Sequence, residues 1–314
     1  MSFRATLEAL SVLDSANVDG KQVAQVLDSF GVKNVEPSII HGDKGRTDFI
    51  KAVIPGSCGK KNGGNAPTLG VIGRLGGIGA RPEMIGLVSD GDGAVAAIAV
   101  AIKLGSMAQK GDLLPGDVII TTHVCPNAPT QPHDPVPFMG SPVSMDIMNK
   151  HEVDQEMDAI LSIDTTKGNR VINHKGFAIS PTVKEGYILR ISDSLLDTMS
   201  ITTGRLPVTF PISTQDITPY GNGVYHLNSI LQPATATSAP CVGIAITTET
   251  PVPGCATGAS HAVDIEQVVR FVIEVAKGFG SGKCSFFDQE EFNRLVRLYG
   301  PMNHLQTKGQ LPGA

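Results

Sequence analysis

The chain has 314 residues, of which 41% are hydrophobic and 18% charged, an ordinary globular composition with ample material for a deep core. Its formal net charge of −5, without a basic stripe, excludes electrostatic attraction to nucleic acid or to an anionic membrane surface. No apolar run approaches the ~20 residues of a membrane span, and no charged and apolar leader opens the chain, so a cytoplasmic protein is expected. The five scattered cysteines, without a CxxC pair, disfavour a disulfide framework.

Apolar spacing and turn residues predict an alternation of helices and strands along the chain. Helices are predicted at residues 4–16, 20–30, 94–107, 146–157, 224–231, 263–277 and 289–299. Strands are predicted at residues 35–40, 84–89, 118–122, 159–163, 176–191, 206–213 and 241–247. Six prolines within 126–142 predict an ordered loop without regular structure, because proline interrupts both kinds of element.

Strands that alternate with helices are typical of a parallel sheet covered on both faces. We therefore expect an α/β fold, a three-layer αβα sandwich around a mixed, mostly parallel sheet. No linker divides the chain, so residues 1–314 are expected to form a single α/β domain. The glycine-rich, turn-punctuated stretch at about 44–84 is expected to be a small β-rich insertion in that domain.

Five predicted strands end in a histidine or an aspartate. These residues are His41, Asp90, His123, Asp164 and His261. In open α/β sheets, sites form outside the carboxyl ends of the strands, so these side chains are expected to gather there. Imidazole and carboxylate are ligands that zinc and related ions accept. Such a set could hold one divalent ion, or two at ~3.5–4 Å if a carboxylate bridges them.

Each of these residues also has an ordinary structural interpretation. Asp90 or Asp92 could cap the helix that follows. Asp164 could form an Asx-turn with the threonines after it, and His261 could simply start the next helix. The ordered set, rather than any single member, supports the metal hypothesis.

The same residues lie in segments that resemble a known superfamily. The segments are His41-Gly42-Asp43, Asp90 to Ala97, Ser162-Ile163-Asp164 and Ser260-His261. Over most of the chain this pattern resembles the co-catalytic zinc aminopeptidases and carboxypeptidases, and its opening helices and late histidine segment are similar to the glutamyl-aminopeptidase branch. The sequence also resembles an uncharacterised bacterial and archaeal family of about this length.

The resemblance implies a hydrolase fold with a divalent metal, zinc first among the candidates, as one or two ions. The ligands it implies are His41, Asp90, Asp164 and His261, with His123 or Cys125 completing the set. Asp90 would bridge two ions, and Asp43 would orient His41 as a catalytic-site residue. The resemblance also implies a small-molecule or peptide substrate and a homo-oligomer.

One departure from the superfamily affects the expected chemistry. Where those enzymes have a Glu-Glu pair, this chain has Val124 and Cys125, and valine cannot move a proton. His133 or Asp134 could act as a displaced catalytic base. The sequence therefore favours a metal-dependent hydrolase of an amide bond in a small peptide or amino-acid derivative. The alternative is a non-catalytic protein that binds a small molecule or a partner on the same scaffold.

Two further patterns suggest other chemistry but carry less weight. The glycines from Gly73 to Gly79 resemble a dinucleotide-binding turn, yet Pro82 interrupts the helix that such a turn must open. Cys125 lies two residues after His123, so both could point to one face of a strand. An extended pair of this kind rarely gives the geometry of a nucleophile and its base.

Overall fold

The computed structural model describes residues 1–74, 87–126, 128–131, 138–213, 225–250 and 260–307. Within these residues the chain forms seven α-helices, eleven strands and four short 3-10 helices. The α-helices are α1 (Ser2–Leu13), α2 (Gly20–Ser29), α3 (Asp92–Ala108), α4 (Met145–Glu152), α5 (Asp193–Thr203), α6 (Ala262–Gly280) and α7 (Gln289–Tyr299). The 3-10 helices are Lys60–Asn62, Ser89–Gly91, Ser229–Thr235 and Asn303–Thr307. The strands are β1 (Ser38–Gly42), β2 (Gly45–Ile54), β3 (Leu69–Gly73), β4 (Val118–Val124), β5 (Thr130–Gln131), β6 (Phe138–Met139), β7 (Ala159–Thr165), β8 (Gly176–Ile179), β9 (Thr182–Lys184), β10 (Tyr187–Leu189) and β11 (Cys241–Thr247).

Nine of these strands form one mixed sheet in the order β1-β2-β4-β3-β7-β11-β9-β10, with β8 also paired to β11. The central strands β4, β3, β7 and β11 are parallel to one another. The outer pairs are antiparallel. The predicted α/β fold with a mixed sheet is confirmed. Parallel pairing is restricted to the centre, so the described sheet contains more antiparallel pairs than the sequence suggested.

Successive side chains of a strand point to opposite faces of the sheet, and each face packs against a different layer. On β4, Val118 and Ile120 belong to the large cluster that includes α1, α3 and α6, whereas Ile119 belongs to a second cluster on the other face. That second face is covered by the helix Ser229–Thr235, which contacts β7 and β11, and by α4, which contacts β2 and β4. The protein thus has the three layers expected of an αβα sandwich.

Helix α3 begins unusually close to the end of β3. A Cβ atom added at Gly73 would lie 2.4 Å from the carbonyl oxygen of Gly93, and one added at Gly93 would lie 2.6 Å from that of Arg74. No side chain fits between the strand and the first turn of the helix at this point. The two glycines therefore hold the start of α3 against the carboxyl ends of the central strands.

Several sequence-based expectations need correction. Residues 45–54 and 69–73 form β2 and β3 of the main sheet, so this part of the predicted 44–84 insertion belongs to the core. The proline-rich segment contains the two-residue strands β5 and β6. Residues 206–213 make only an isolated bridge, between Thr209 and Ile179. Among the described residues, no helix is both long and apolar enough to cross a membrane.

Asp117 connects the loop after β2 to the start of β4, and its carboxylate is 1% exposed. It accepts hydrogen bonds from the backbone N–H groups of Gly56 at 2.8 Å and Lys61 at 2.9 Å. We expect Asp117→Asn to lower the free energy of unfolding by ~1–3 kcal/mol, because the new amide N–H₂ faces a buried N–H donor. Urea unfolding measures this change, and the exposed Asp112→Asn is the matched control. Equal stability of the two variants would contradict the proposed role of Asp117.

Candidate active site at the carboxyl ends of the parallel strands

Three adjacent parallel strands bring polar side chains into one row. Gly73 at the end of β3 is in register with Thr122 of β4 and with Ile163 of β7. The next residue on each strand is Arg74, His123 and Asp164, respectively. Because neighbouring strands lie about 4.8 Å apart, these three residues are side by side at one edge of the sheet. Because side chains alternate between the two faces along a strand, all three point to the face of the sheet that α4 covers.

Helix α4 adds two more polar side chains above this row. Arg74 Nη1 lies 3.5 Å from Glu152 Oε2, and it donates to Asn149 Oδ1 at 3.4 Å. Arg74 Nη2 also lies 3.2 Å from the Met145 sulfur. Asn149 and Glu152 are three residues apart and thus share one face of the helix. We call the following set the polar cluster: Arg74, His123, Asn149, Glu152 and Asp164, each at most 2% exposed.

The hydroxyl of Thr47 on β2 is the hydrogen-bond partner of His123 Nδ1. Thr47 Oγ1 lies 2.8 Å from His123 Nδ1 and 3.2 Å from the carbonyl oxygen of Val124. A hydroxyl has a single proton; when it donates to the Val124 carbonyl it accepts from His123, and the imidazole proton is then on Nδ1. His123 Nε2 is then left with a free lone pair. It points toward Glu152, with 3.9 Å between Nε2 and Oε1.

Four buried polar atoms of the cluster have no hydrogen-bond partner among the described residues. They are His123 Nε2, Asn149 Nδ2, Glu152 Oε1 and Glu152 Oε2. Buried polar atoms are nearly always paired, and an unpaired one costs about 1–3 kcal/mol. A concentration of such atoms on three neighbouring side chains indicates a place where a polar ligand or water binds.

Burial shifts the proton affinities of the cluster strongly. Loss of solvent raises the pKa of Glu152 to about 7; the nearby Arg74 opposes this rise and Asp164 adds to it. Burial likewise raises the pKa of Asp164 to about 6, against the opposing effects of Arg74 and of the Thr165 N–H. Burial and Arg74 together lower the pKa of His123 to about 3, so the imidazole is neutral. Its contact with Glu152 is therefore not an ion pair.

A second charged group lies beside the cluster, at the start of α3. The carboxylate of Asp92 is fully buried and pairs with Lys167 Nζ at 2.7 Å. Its other oxygen accepts a hydrogen bond from Ser260 Oγ. Burial raises the pKa of Asp92, although Lys167 and Ser260 both favour its ionised form. Asp90 is also buried, in the 3-10 helix just before α3.

Four of the six predicted metal ligands are buried and two are exposed. His123, Asp164, Asp90 and Cys125 are buried, and the Cys125 sulfur donates to the Arg46 carbonyl oxygen at 3.3 Å. His41 and Asp43 are exposed at the hairpin of the edge strand β1. His261 caps α6, its side chain is 56% exposed, and its Nδ1 lies 3.3 Å from Asp264 Oδ2. His133 and Asp134, the candidate displaced bases, lie outside the described residues.

A divalent metal ion does not fit the donors that the structure brings together. Zinc takes at least three protein ligands, at about 2.0–2.3 Å. Across residues 1–74, 87–126, 128–131, 138–213, 225–250 and 260–307, no three His, Cys, Asp or Glu side chains form a group that could hold a metal ion. The Arg74 guanidinium lies against Glu152 and Asn149, and His123 and Asp164 flank Arg74 on the neighbouring strands.

Sequence reasoning missed Arg74, Asn149, Glu152 and Thr47. Arg74 directly follows β3 and His123 lies near the end of β4, so the rule that identified His123 could have found Arg74 as well. The glycines around it predicted a turn, and the strand before it was not identified. Glu152 lies at the end of a helix and has no motif around it, so only the packing of α4 on the sheet reveals its role.

Comparisons with known proteins connect the chain to one family. The family model described as "Protein of unknown function (DUF1177)" matches residues 38–309. No curated protein matches the sequence.

Solved structures share the fold at low sequence identity. The cytosol aminopeptidase of Coxiella burnetii is 14% identical with a TM-score of 0.50, over 85% of this chain and 67% of that one. A TET aminopeptidase from a marine sediment thaumarchaeon is 10% identical with a TM-score of 0.48, over 90% of this chain and 99% of that one. A glutaminyl cyclase from an Acidobacteriales bacterium is 11% identical with a TM-score of 0.46, over 90% and 94%. The likeness to the Coxiella enzyme shows a peptidase-like α/β fold, and the glutamyl-aminopeptidase branch stays a prediction.

The raised pKa of Glu152 gives the protein's stability a defined pH dependence. The native carboxyl titrates at about 7 rather than 4.5, so the native state holds this proton more tightly than the unfolded state. This stabilisation is complete below pH 4.5 and is lost as the pH rises through 7. The side chain of Glu152→Gln is neutral at every pH. Between pH 4.5 and 7 the free energy of unfolding of this variant should therefore fall by ~3 kcal/mol less than that of the wild type. Urea unfolding across this range tests it, and the exposed Glu36→Gln should follow the wild type.

Thr47 should act as a positioning residue for His123. Thr47→Val removes the acceptor for the Nδ1 proton, so we expect the imidazole to shift toward the tautomer with its proton on Nε2. The buried Nδ1–H would otherwise stay unpaired, at a cost of ~1–3 kcal/mol. ¹⁵N NMR of the imidazole nitrogens distinguishes the two tautomers, and Thr47→Ser should restore the wild-type spectrum. An unchanged tautomer in Thr47→Val would disprove this assignment.

Proposed function

This chain belongs to the DUF1177 family, and we propose that it hydrolyses an amide bond in a small peptide or amino-acid derivative at the polar cluster. The observation that carries the proposal is the setting of Glu152. Its carboxyl group is fully buried, both of its oxygens lack hydrogen-bond partners among the described residues, and it lies between the Arg74 guanidinium and the His123 imidazole. Such a carboxyl group is suited to proton transfer rather than to stabilising the fold.

Glu152 is the proposed general base. A catalytic base is most effective when its pKa is near the working pH, and the pKa of this carboxyl is raised to about 7. In the first step, Glu152 takes a proton from a water molecule while the water oxygen bonds to the amide carbonyl carbon. The same proton then passes to the leaving nitrogen as the C–N bond breaks, which releases a carboxylic acid and an amine.

Arg74 and Asn149 supply donors for the charge that develops on the carbonyl oxygen. Arg74 Nη1 donates to Asn149 Oδ1, which brings the two side chains together, and Asn149 Nδ2 has no partner among the described residues. Buried donors aimed at a developing oxyanion contribute more than the same groups in water, since no solvent screens them. The free lone pair of His123 Nε2 accepts a hydrogen bond from the attacking water or from the substrate N–H. The site thus complements a group with an acceptor next to a donor, as in an amide.

The sequence-based alternative, a non-catalytic binding protein, receives support from one observation. Val124, which stands where the resemblance places the general base, is fully buried in the hydrophobic cluster with α3. Its position therefore has no catalytic side chain. On this alternative the same unpaired atoms would hold a small polar ligand without turnover. A homo-oligomer and a cytoplasmic location stay predictions, and zinc has no role in this proposal.

An amide-hydrolysis screen tests the function directly. We expect wild-type protein to hydrolyse at least one member of a set of dipeptides, N-acylated amino acids and aminoacyl anilides. Glu152→Gln should lower kcat roughly 10²–10⁴-fold, because it removes the base. The exposed Glu36→Gln should retain full activity. An active Glu152→Gln variant would refute the mechanism, and a ligand bound equally by both proteins without turnover would support the binding alternative.

A further inference from the structure

We propose that the Arg74 guanidinium is the resident cation of this site and takes the place of a divalent metal ion, with Glu152 in contact and with His123 and Asp164 on the neighbouring strands. The inference deepens the proposed function and rests on the same polar cluster. It concerns how the site is charged rather than what it hydrolyses. It can therefore be tested without any turnover.

The backbone fixes Arg74 at the centre of the row. Its N–H donates to the carbonyl oxygen of Ile163 at 2.8 Å, which extends the β3–β7 pairing by one residue. His123 lies on the neighbouring strand to one side and Asp164 on the other. The side chain is 1% exposed, among the largest fully buried side chains of the described residues. A side chain held in this way behaves as a fixed part of the site.

The electrostatic surroundings require one positive charge at this position. Two buried carboxyl groups are close to Arg74: Glu152 Oε2 lies 3.5 Å from its Nη1, and Asp164 is its neighbour across the β3–β7 pairing. Buried charges without a counter-charge are strongly unfavourable. A second cation at the same place would be repelled by the guanidinium, since buried charges interact with little screening. Arg74 and a divalent ion are thus alternatives for the position.

An arginine differs from a metal ion in what it can contribute. It cannot dissociate or be chelated, and it offers five directed N–H donors instead of a coordination sphere. It also cannot turn bound water into a metal hydroxide at neutral pH. Water activation must then come from a side chain, which agrees with an unpaired buried carboxyl at Glu152.

The test combines metal analysis with a carboxyl titration. Wild-type protein purified without chelator is examined by elemental analysis, and titrated with ZnCl₂ and with MnCl₂ by calorimetry. The Glu152 and Asp164 carboxyl carbons are then titrated by ¹³C NMR in the wild type, Arg74→Lys and Arg74→Met. The exposed Arg205→Met is the matched control.

We expect far less than one metal ion per chain, and no zinc or manganese binding that depends on His123 or Asp164. Arg74→Met should raise the pKa of both carboxyl groups by roughly one to three units, whereas Arg74→Lys and Arg205→Met should leave them near wild-type values. One ion per chain that His123→Ala and Asp164→Ala remove would overturn the proposal, as would unchanged titration in Arg74→Met. The wild-type metal measurement decides the question even if Arg74→Met does not fold. Neither readout depends on amide hydrolysis, so a negative substrate screen would leave this inference standing.

Discussion

The contact between Arg74 and Glu152 explains much of the architecture around it. Burying a guanidinium and a carboxyl group out of water is costly, and close pairing offsets this cost only when the geometry is held firmly. Here the parallel register of β3, β4 and β7 positions the arginine, and the packing of α4 on the sheet positions the glutamate. Even so, the two groups are 3.5 Å apart, and within the described part of the chain the carboxyl oxygens have no hydrogen-bond partner. The fold thus maintains a site in which some buried polar atoms have no hydrogen-bond partner among the described residues.

Much of the fold could be predicted from local sequence. The bounds of β11 and α7 were predicted to the residue, because a short apolar run and an amphipathic pattern leave little ambiguity about such elements. The strands at residues 45–54 and 69–73 were harder, since glycine and proline around them indicated a peripheral insertion. Their membership in the main sheet depends on pairing with residues far along the chain, which no local pattern reveals.

The candidate site was predicted in part, for related reasons. His123 and Asp164 lie near the carboxyl ends of the central parallel strands β4 and β7, where the rule about carboxyl ends expects them. His41 ends a strand that runs parallel to β4, but β2 lies between these two strands and the His41 side chain is exposed at the edge of the sheet. His261 has the ordinary helix-start role that its position also suggested. Glu152 comes from a helix that covers the sheet, and its role depends on tertiary packing alone. A shared peptidase-like fold likewise leaves the chemistry open, since the side chains at the site decide it.

Asp92 has a mechanical consequence for this protein. Its single carboxylate, on the first residue of α3, joins Lys167 from the segment after β7 to Ser260 from the segment before α6. Three stretches of chain that are distant in sequence are therefore joined through one carboxylate. While both bonds persist, a displacement of Lys167 or of Ser260 acts on the start of α3 through that carboxylate. The three described segments that meet at Asp92 are therefore mechanically coupled.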